Sequence, residues 1–258
     1  MATMPVVTLD VNDAIATVTL RRTDKLNSLN AAMIAELGDA LERGAATARV
    51  VVLRAEPGVS VFSAGHDIDD VPVHADPDQW DNPVEAVIAG IPALPAPVIA
   101  AVEGSVWGAA CNLVVACDLI VATRNATFAI TPAKLGVPYF RGGLAIFARS
   151  LPLHVVKAMF FTAETITADQ AHGYGLVHQV AEDGADLDAR VARLASRIAA
   201  LAPLTIRSVK AELDALDGLT DVDDAGLAAL REQAWLSADV KEGVAAFRER
   251  RRPNFEGR

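Results

Sequence analysis

Apolar and polar residues alternate over Val6–Leu9 and again over Ile15–Leu20, with the turn dipeptide Asn12-Asp13 between them, which predicts a hairpin with one covered face. The period then changes. Over Leu29–Arg43 the apolar residues Met33, Leu37, Ala40 and Leu41 fall on one helical face, with Asn27 or Ser28 placed to cap the first turn. Arg49–Ala55 is a near-continuous Val/Leu run, the signature of a strand covered on both faces, and Pro97–Val102 is another. Between them lies Val71–Pro83, polar and rich in Pro and Asp, which suits a surface loop or a lid. A helix over Ala109–Ala116 and short strands at Leu119–Thr123 and Thr127–Ile130 follow, then a loop from Gly136 to Gly143 and a helix over Leu153–Thr162. Thr167-Ala168-Asp169-Gln170 has the form of a capping box, opening a short helix that Gly173 or Gly175 stops. From Leu187 onward the pattern is helical only: Leu187–Ala200, Leu204–Leu216, Val222–Leu236 and Val240–Arg251, with Asp239-Val240-Lys241-Glu242 again cap-like.

The strand–strand–helix rhythm predicts an α/β fold of stacked turns, not a doubly wound sheet, in residues 1–190, followed by a helical region over 191–258. At 258 residues the chain can bury a large core, and with 52% hydrophobic but only 5% aromatic residues that core is built from Ala, Val, Leu and Ile. A net charge of −10 argues against general affinity for nucleic acid or an anionic membrane surface. The basic run Arg248-Glu249-Arg250-Arg251-Arg252 suits a local anion site or a solvated helix end equally well. The start shows no basic region followed by an apolar stretch, and no apolar stretch approaches the roughly 20 residues of a membrane span, so a soluble cytoplasmic protein is expected. Cys111 and Cys117 share one apolar segment and fit two buried small side chains; His74, His154, His172 and His178 lack metal-ligand spacing, and no metal site is expected.

Two segments carry candidate chemistry: Val61-Phe62-Ser63-Ala64-Gly65-His66-Asp67-Ile68 and Glu103-Gly104-Ser105-Val106-Trp107-Gly108-Ala109-Ala110-Cys111-Asn112. Each follows a buried-strand run, and each is built of residues small enough for backbone to approach a ligand. Backbone N–H groups on two such loops can hold an oxygen that becomes negative during reaction.

On these segments, and on Lys25-Leu26-Asn27-Ser28-Leu29, Cys117-Asp118, Thr167–Gly175 with Leu176-Val177, and Phe247, Arg250 and Asn254-Phe255 in the tail, the chain resembles the crotonase (enoyl-CoA hydratase/isomerase) superfamily over nearly its whole length. The resemblance implies a spiral of ββα turns, a C-terminal helical region that builds a homotrimer or a hexamer of two trimers, and an acyl-CoA thioester as substrate, coenzyme A entering with the substrate and no separate cofactor being needed. It implies that the N–H groups of His66 and Ala109 form an oxyanion hole beside Gly108. It further implies that Lys25, Leu26, Ala64, Asp67 and Ile68 line the path of the nucleotide, with Phe247 and Arg250 closing on it from the same or a neighbouring subunit. Ala109 stands where most relatives have glycine, which keeps the N–H and narrows the approach. The motifs Leu135-Gly136-Val137-Pro138-Tyr139 and Arg252-Pro253-Asn254-Phe255-Glu256-Gly257 are most similar to members that decarboxylate a methylmalonyl or related malonyl thioester.

The two glutamates with which hydratases of that superfamily hold and activate water fall here at Asn112 and Pro132, and neither residue exchanges a proton at neutral pH. Decarboxylation asks for less: a stabilised enolate oxygen, neutral polar groups and a later proton for carbon. Tyr139, His66 or water could deliver that proton, and Thr131 could hydrogen-bond the departing carboxylate. Each has a structural alternative: His66 as a brace of its turn, Tyr139 as a satisfied core side chain, Thr131 as a strand end, Asn112 as a local cap. A hydratase or isomerase with a non-glutamate site, and a catalytically silent binding module, stand as the alternatives.

Overall fold

The computed structural model describes residues 5–70, 83–218, 220 and 222–258. His74 and nearly all of the segment expected as a loop or lid lie outside the described residues.

Strand β1 (Val7–Asn12) pairs antiparallel with β2 (Ile15–Leu20), as the alternation predicts, and Asp13 turns between them at φ +52. Helix α1 (Ala31–Thr47) buries Met33, Leu37, Ala40 and Leu41. Its cap is Asn30, whose Oδ1 accepts the Met33 N–H at 3.0 Å, and not Asn27 or Ser28. The expected helix start is early because Asn27 and Ser28 are used elsewhere, in the site described below. There follow β3 (Val50–Ala55), β4 (Val61–Ser63), α2 (Pro83–Gly90), β5 (Val98–Val102), β6 (Ser105–Trp107), α3 (Ala109–Val115), β7 (Leu119–Thr123) and β8 (Thr127–Ala129). Next come α4 (Pro132–Leu135), α5 (Arg141–Ser150), α6 (Leu153–Thr162), β9 (Ile166–Thr167), α7 (Ala168–Gly173) and β10 (Gln179–Ala181). Four helices close the chain: α8 (Gly184–Ala199), α9 (Pro203–Leu216), α10 (Asp224–Leu236) and α11 (Ala238–Glu249).

The strands form a six-stranded sheet in the order β1-β2-β3-β5-β7-β10 and a four-stranded sheet in the order β4-β6-β8-β9. From β2 to β10 the large sheet is parallel. Each of β3, β5 and β7 is followed directly by a short strand of the small sheet, so the backbone winds as stacked strand–strand–helix turns. The Val/Leu run of β3 is covered on both faces: Val51 and Leu53 pack with α1, while Val50 and Val52 pack with Ile99, Ala101 and Val121 beneath Leu187, Val191 and Ala195 of α8. Helix α8 runs across residue 190 and docks on the sheet without a break there.

The structure corrects several boundaries. The stretch expected as loop from Gly136 to Gly143 becomes helical at Arg141, with Gly142 and Gly143 inside α5. Strand β10 is not foreseen; three residues between glycine-rich turns give too short a pattern to read. Asp183, not a residue near Leu187, caps α8 by accepting the Asp186 N–H. Asp239 is not a helix cap: Ser237 holds that position, and the Asp239 carboxylate accepts the backbone N–H groups of Glu256 and Gly257 at 2.8 and 3.0 Å.

The tail is tied down by polar contacts. Arg49 donates to the carbonyls of Ala199 and Phe255, at 3.0 and 2.6 Å. Lys210 of α9, its side chain 5% exposed, donates to Asp118 at 2.5 Å and lies 3.5 Å from Asp214. Asp118 in turn accepts the Val98 N–H. The basic run is a helix end: Arg250 is the left-handed C-cap residue at φ +56, and Arg251 pairs with Glu242 and Glu249. Among the described residues no helix is long and apolar enough to cross a membrane.

Candidate active site

The first loop is sewn to residues 26–29. Asn27, fully buried at φ +50, accepts the Arg22 N–H through Oδ1 and donates Nδ2–H to the Phe62 carbonyl at 2.9 Å, while its own carbonyl accepts the Ser63 hydroxyl at 2.7 Å. Ala64 donates its N–H to the Leu26 carbonyl, Leu29 to that of Gly65, and Asp67 to that of Leu29. Leu26 itself sits at φ +52, a conformation a bulky residue adopts only when its surroundings dictate it. Arg22 crosses the loop to Asp67 at 2.6 Å, where Ser28 also donates to the carboxylate. The Arg22 guanidinium holds the Asp67 carboxyl below the usual carboxylate range. Asp67 therefore braces the turn that presents His66.

The second loop crosses the first at a point where backbones touch. Gly65 has φ +84, and a Cβ on it would lie 2.4 Å from the Trp107 carbonyl oxygen and 3.0 Å from the Ala109 nitrogen. Only glycine fits there. Gly108, at φ +53, anchors its N–H on the Ala129 carbonyl and turns the chain into α3, so that Ala109 is the first helical residue. The N–H of such a residue has no carbonyl within its own helix to serve.

Behind the crossing lies a cavity of about 820 Å³ whose lining includes Ala64, His66, Ile68, Gly108, Ala109, Asn112, Thr131 and Tyr139. Eight of the expected site residues thus meet in one place. Lys25, Leu26, Asp67, Phe247 and Arg250 stand outside that lining. Phe247 is 85% exposed on α11, and Leu26 touches the site through its carbonyl only.

The polar groups inside are few and ordered. Tyr139 donates its hydroxyl to Asn112 Oδ1 in a short hydrogen bond, and Asn112 Nδ2 donates to the Gly143 carbonyl at 2.8 Å. A Cβ at Gly143 would meet the Tyr139 ring at 2.9 Å and Asn112 Nδ2 at 3.1 Å, which accounts for glycine in the first turn of α5. The Tyr139 ring packs edge-on against Phe160, and burial pushes its hydroxyl well above the ordinary phenol value, helped by Cys111 and by the charge of Glu85, so the hydroxyl stays protonated. Burial also holds the His66 imidazole below its ordinary value, against the opposing pull of Asp70 and Asp67, and leaves the ring neutral at pH 7. Thr131 stands beside Gly108, its Oγ1 3.7 Å from where a Cβ would be, and makes no capping bond to α4.

The sequence reading missed one group. Glu85, from α2, lines the same cavity and is the one carboxylate among its described lining residues. Its helix follows the irregular segment, where no period could assign its face. Cys111 is inert, its buried thiol bonded to the Val106 carbonyl and pushed up to about 12. His172 braces a turn through the Val177 carbonyl, and among the described residues no group of three or more His, Cys, Asp or Glu could hold a metal ion.

The winding of two sheets and the loop crossing over an apolar cavity define the class, and the sequence agrees: the enoyl-CoA hydratase/isomerase family matches residues 10–258, and the chain belongs to that crotonase superfamily of acyl-CoA enzymes. It is 38% identical over 238 residues to the methylmalonyl-CoA decarboxylase of Escherichia coli, covering 90% of this chain and 91% of the relative. It is 33% identical to the 2,3-dehydroadipyl-CoA hydratase of the same organism, covering 93% and 94%. A crystal structure of methylmalonyl-CoA decarboxylase complexed with 2S-carboxypropyl-CoA superposes with a TM-score of 0.80 at 35% identity, covering 99% of this chain and all of the other.

Proposed function

We propose that the chain is an acyl-CoA lyase that removes CO₂ from methylmalonyl-CoA or a closely related malonyl thioester. The observation that carries this reading is the Asn112–Tyr139 pair set against the loop crossing, where the hydratases of the superfamily place a glutamate. The N–H groups of His66 and Ala109 receive the thioester oxygen; in comparable sites each such donor is worth a factor of roughly 10²–10³ in rate. With the substrate carboxylate turned out of the thioester plane, the C–C bond breaks, its electrons pass to the carbonyl oxygen, and CO₂ leaves the apolar cavity. Neutral hydroxyls at Tyr139 and Thr131 and a neutral His66 offer hydrogen bonds to the carboxylate without adding negative charge beside it. Ala64 and Ile68 line the approach of the pantetheine arm. Lys25, Leu26, Asp67, Phe247 and Arg250 belong to the nucleotide path outside the cavity, with Asp67 acting through the loop it braces. A second reading, an enoyl-CoA isomerase, is favoured by Glu85, because one carboxylate suffices to move a proton between two carbons.

Incubation of the purified protein with methylmalonyl-CoA, malonyl-CoA and crotonyl-CoA, with products followed by mass, separates these. Loss of CO₂ from a malonyl thioester is the expected result. Absence of any such loss overturns the decarboxylase, and binding of all three without turnover would mark a silent module.

The C-terminal helices leave Leu213, Leu216, Trp235, Leu236, Val244 and Phe247 exposed, Trp235 by 76%. That much apolar surface on one helical region calls for cover, and we propose further copies of this chain, as a trimer or a pair of trimers. Light scattering should give three or six times the 27.1 kDa of one chain; a monomeric mass overturns the assembly.

A further inference from the structure

Helix α2 has a fixed orientation. Val84 and Ile88, one turn apart, are buried in the main apolar core, so the helix cannot rotate without drawing both into water. The face that this leaves toward the cavity carries Glu85 and Ala89, and Glu85 is half-buried there among Val84, Ile88, Trp107 and Val115. An acid on an eight-residue surface helix is ordinarily turned to solvent. This one is held in the wall that faces the Asn112–Tyr139 pair, close enough for its charge to be felt at the Tyr139 hydroxyl.

We infer that Glu85 is the catalytic acid that delivers a proton to the α-carbon of the thioester enolate, a role that rests on the decarboxylase reading given above. The other candidates are badly placed for it. The Tyr139 proton is committed to Asn112 and strongly retained, and the His66 ring is neutral. A substrate carboxylate entering the same low-dielectric cavity cannot sit ionised beside an ionised Glu85, so the pair shares one proton and substrate binding loads the acid. When the C–C bond breaks, the bonding electrons form the enolate and CO₂ departs. The enolate carbon then takes the proton from the Glu85 carboxyl, the thioester carbonyl re-forms, and Glu85 is left ionised until solvent protonates it with the next substrate. The sum is one malonyl thioester and one proton giving one acyl thioester and CO₂. Charge opposition thus disappears at the step that needs the proton.

The reverse of the last step can be read by itself, as exchange of the α-hydrogen of propionyl-CoA in deuterated buffer. In Glu85→Gln, exchange should fall about a hundred-fold, the scale of a general acid or base, and at least ten times further than CO₂ release from methylmalonyl-CoA, while Glu85→Asp restores part of it. Exchange that is unchanged in Glu85→Gln, or that falls in step with CO₂ release, overturns the assignment. Exchange by the parent protein without CO₂ release would remove the decarboxylase reading, yet the comparison with Glu85→Gln would still decide whether Glu85 serves an acyl-CoA enolate.

Discussion

A Lys210→Met protein is expected to unfold roughly 10 °C below the parent, because removing one partner of a buried ion cluster costs about 3 kcal/mol in a chain of this size. The methionine fills the space of the aliphatic stem. What is lost is the ammonium that Asp118 and Asp214 face, both of them largely out of water, at 22% and 14% side-chain exposure. Asp118 retains the Val98 N–H, whereas burial already raises the Asp214 carboxyl above its ordinary value, with Lys210 opposing that shift. The variant should therefore regain part of its stability as the pH falls toward the carboxylate range. There a group whose folded pKa exceeds its unfolded one is protonated in both states and no longer opposes folding. Calorimetry across pH checks both statements; a midpoint within 2 °C of the parent, roughly half a kcal/mol here, would show the cluster to be energetically idle. The position matters for the site, since Asp118 joins the end of α3 to β7 and so couples the helical tail to the helix that begins at Ala109.

Gly65→Ala should lower kcat for the thioester substrate by a factor of roughly 10² or more while the protein still folds. The added methyl would enter the Trp107 carbonyl at 2.4 Å, and both atoms belong to backbone that cannot rotate away. The φ of +84 adds a strain of about 1 kcal/mol. Relief comes only by parting the two loops, which moves the His66 and Ala109 N–H groups off a common point. Binding of free coenzyme A, measured by calorimetry, should change far less than kcat, since the nucleotide path lies outside the crossing. If kcat holds within three-fold, the two N–H groups are not the pair that stabilises the enolate.

What the sequence revealed depended on pattern length. Six-residue β3, flanked by helices on both faces, shows itself as a Val/Leu run; three-residue β4, β6 and β10 do not, because two or three side chains cannot establish a period. Asn27 illustrates a different limit. It has the composition of a helix cap, but its three bonds to Arg22, Phe62 and Ser63 depend on a strand 35 residues away, which local propensity cannot anticipate. Among site residues, His66, Ala109, Asn112, Thr131 and Tyr139 were legible because they stand in or beside motifs. Glu85 was not, since the face of a short, mostly apolar helix is settled by what it packs against and not by its own sequence.

The tail is fastened at Arg49, Asp239 and the Ala238 N–H, and in each case the partner is main chain: the carbonyls of Ala199, Phe255 and Arg258 and the amides of Glu256 and Gly257. Main-chain partners are supplied by almost any residue. The outward side chains of α9, α10 and α11 can consequently change through descent without unseating the helices, so that quaternary contacts and the acyl-CoA chemistry are able to diverge independently within one scaffold.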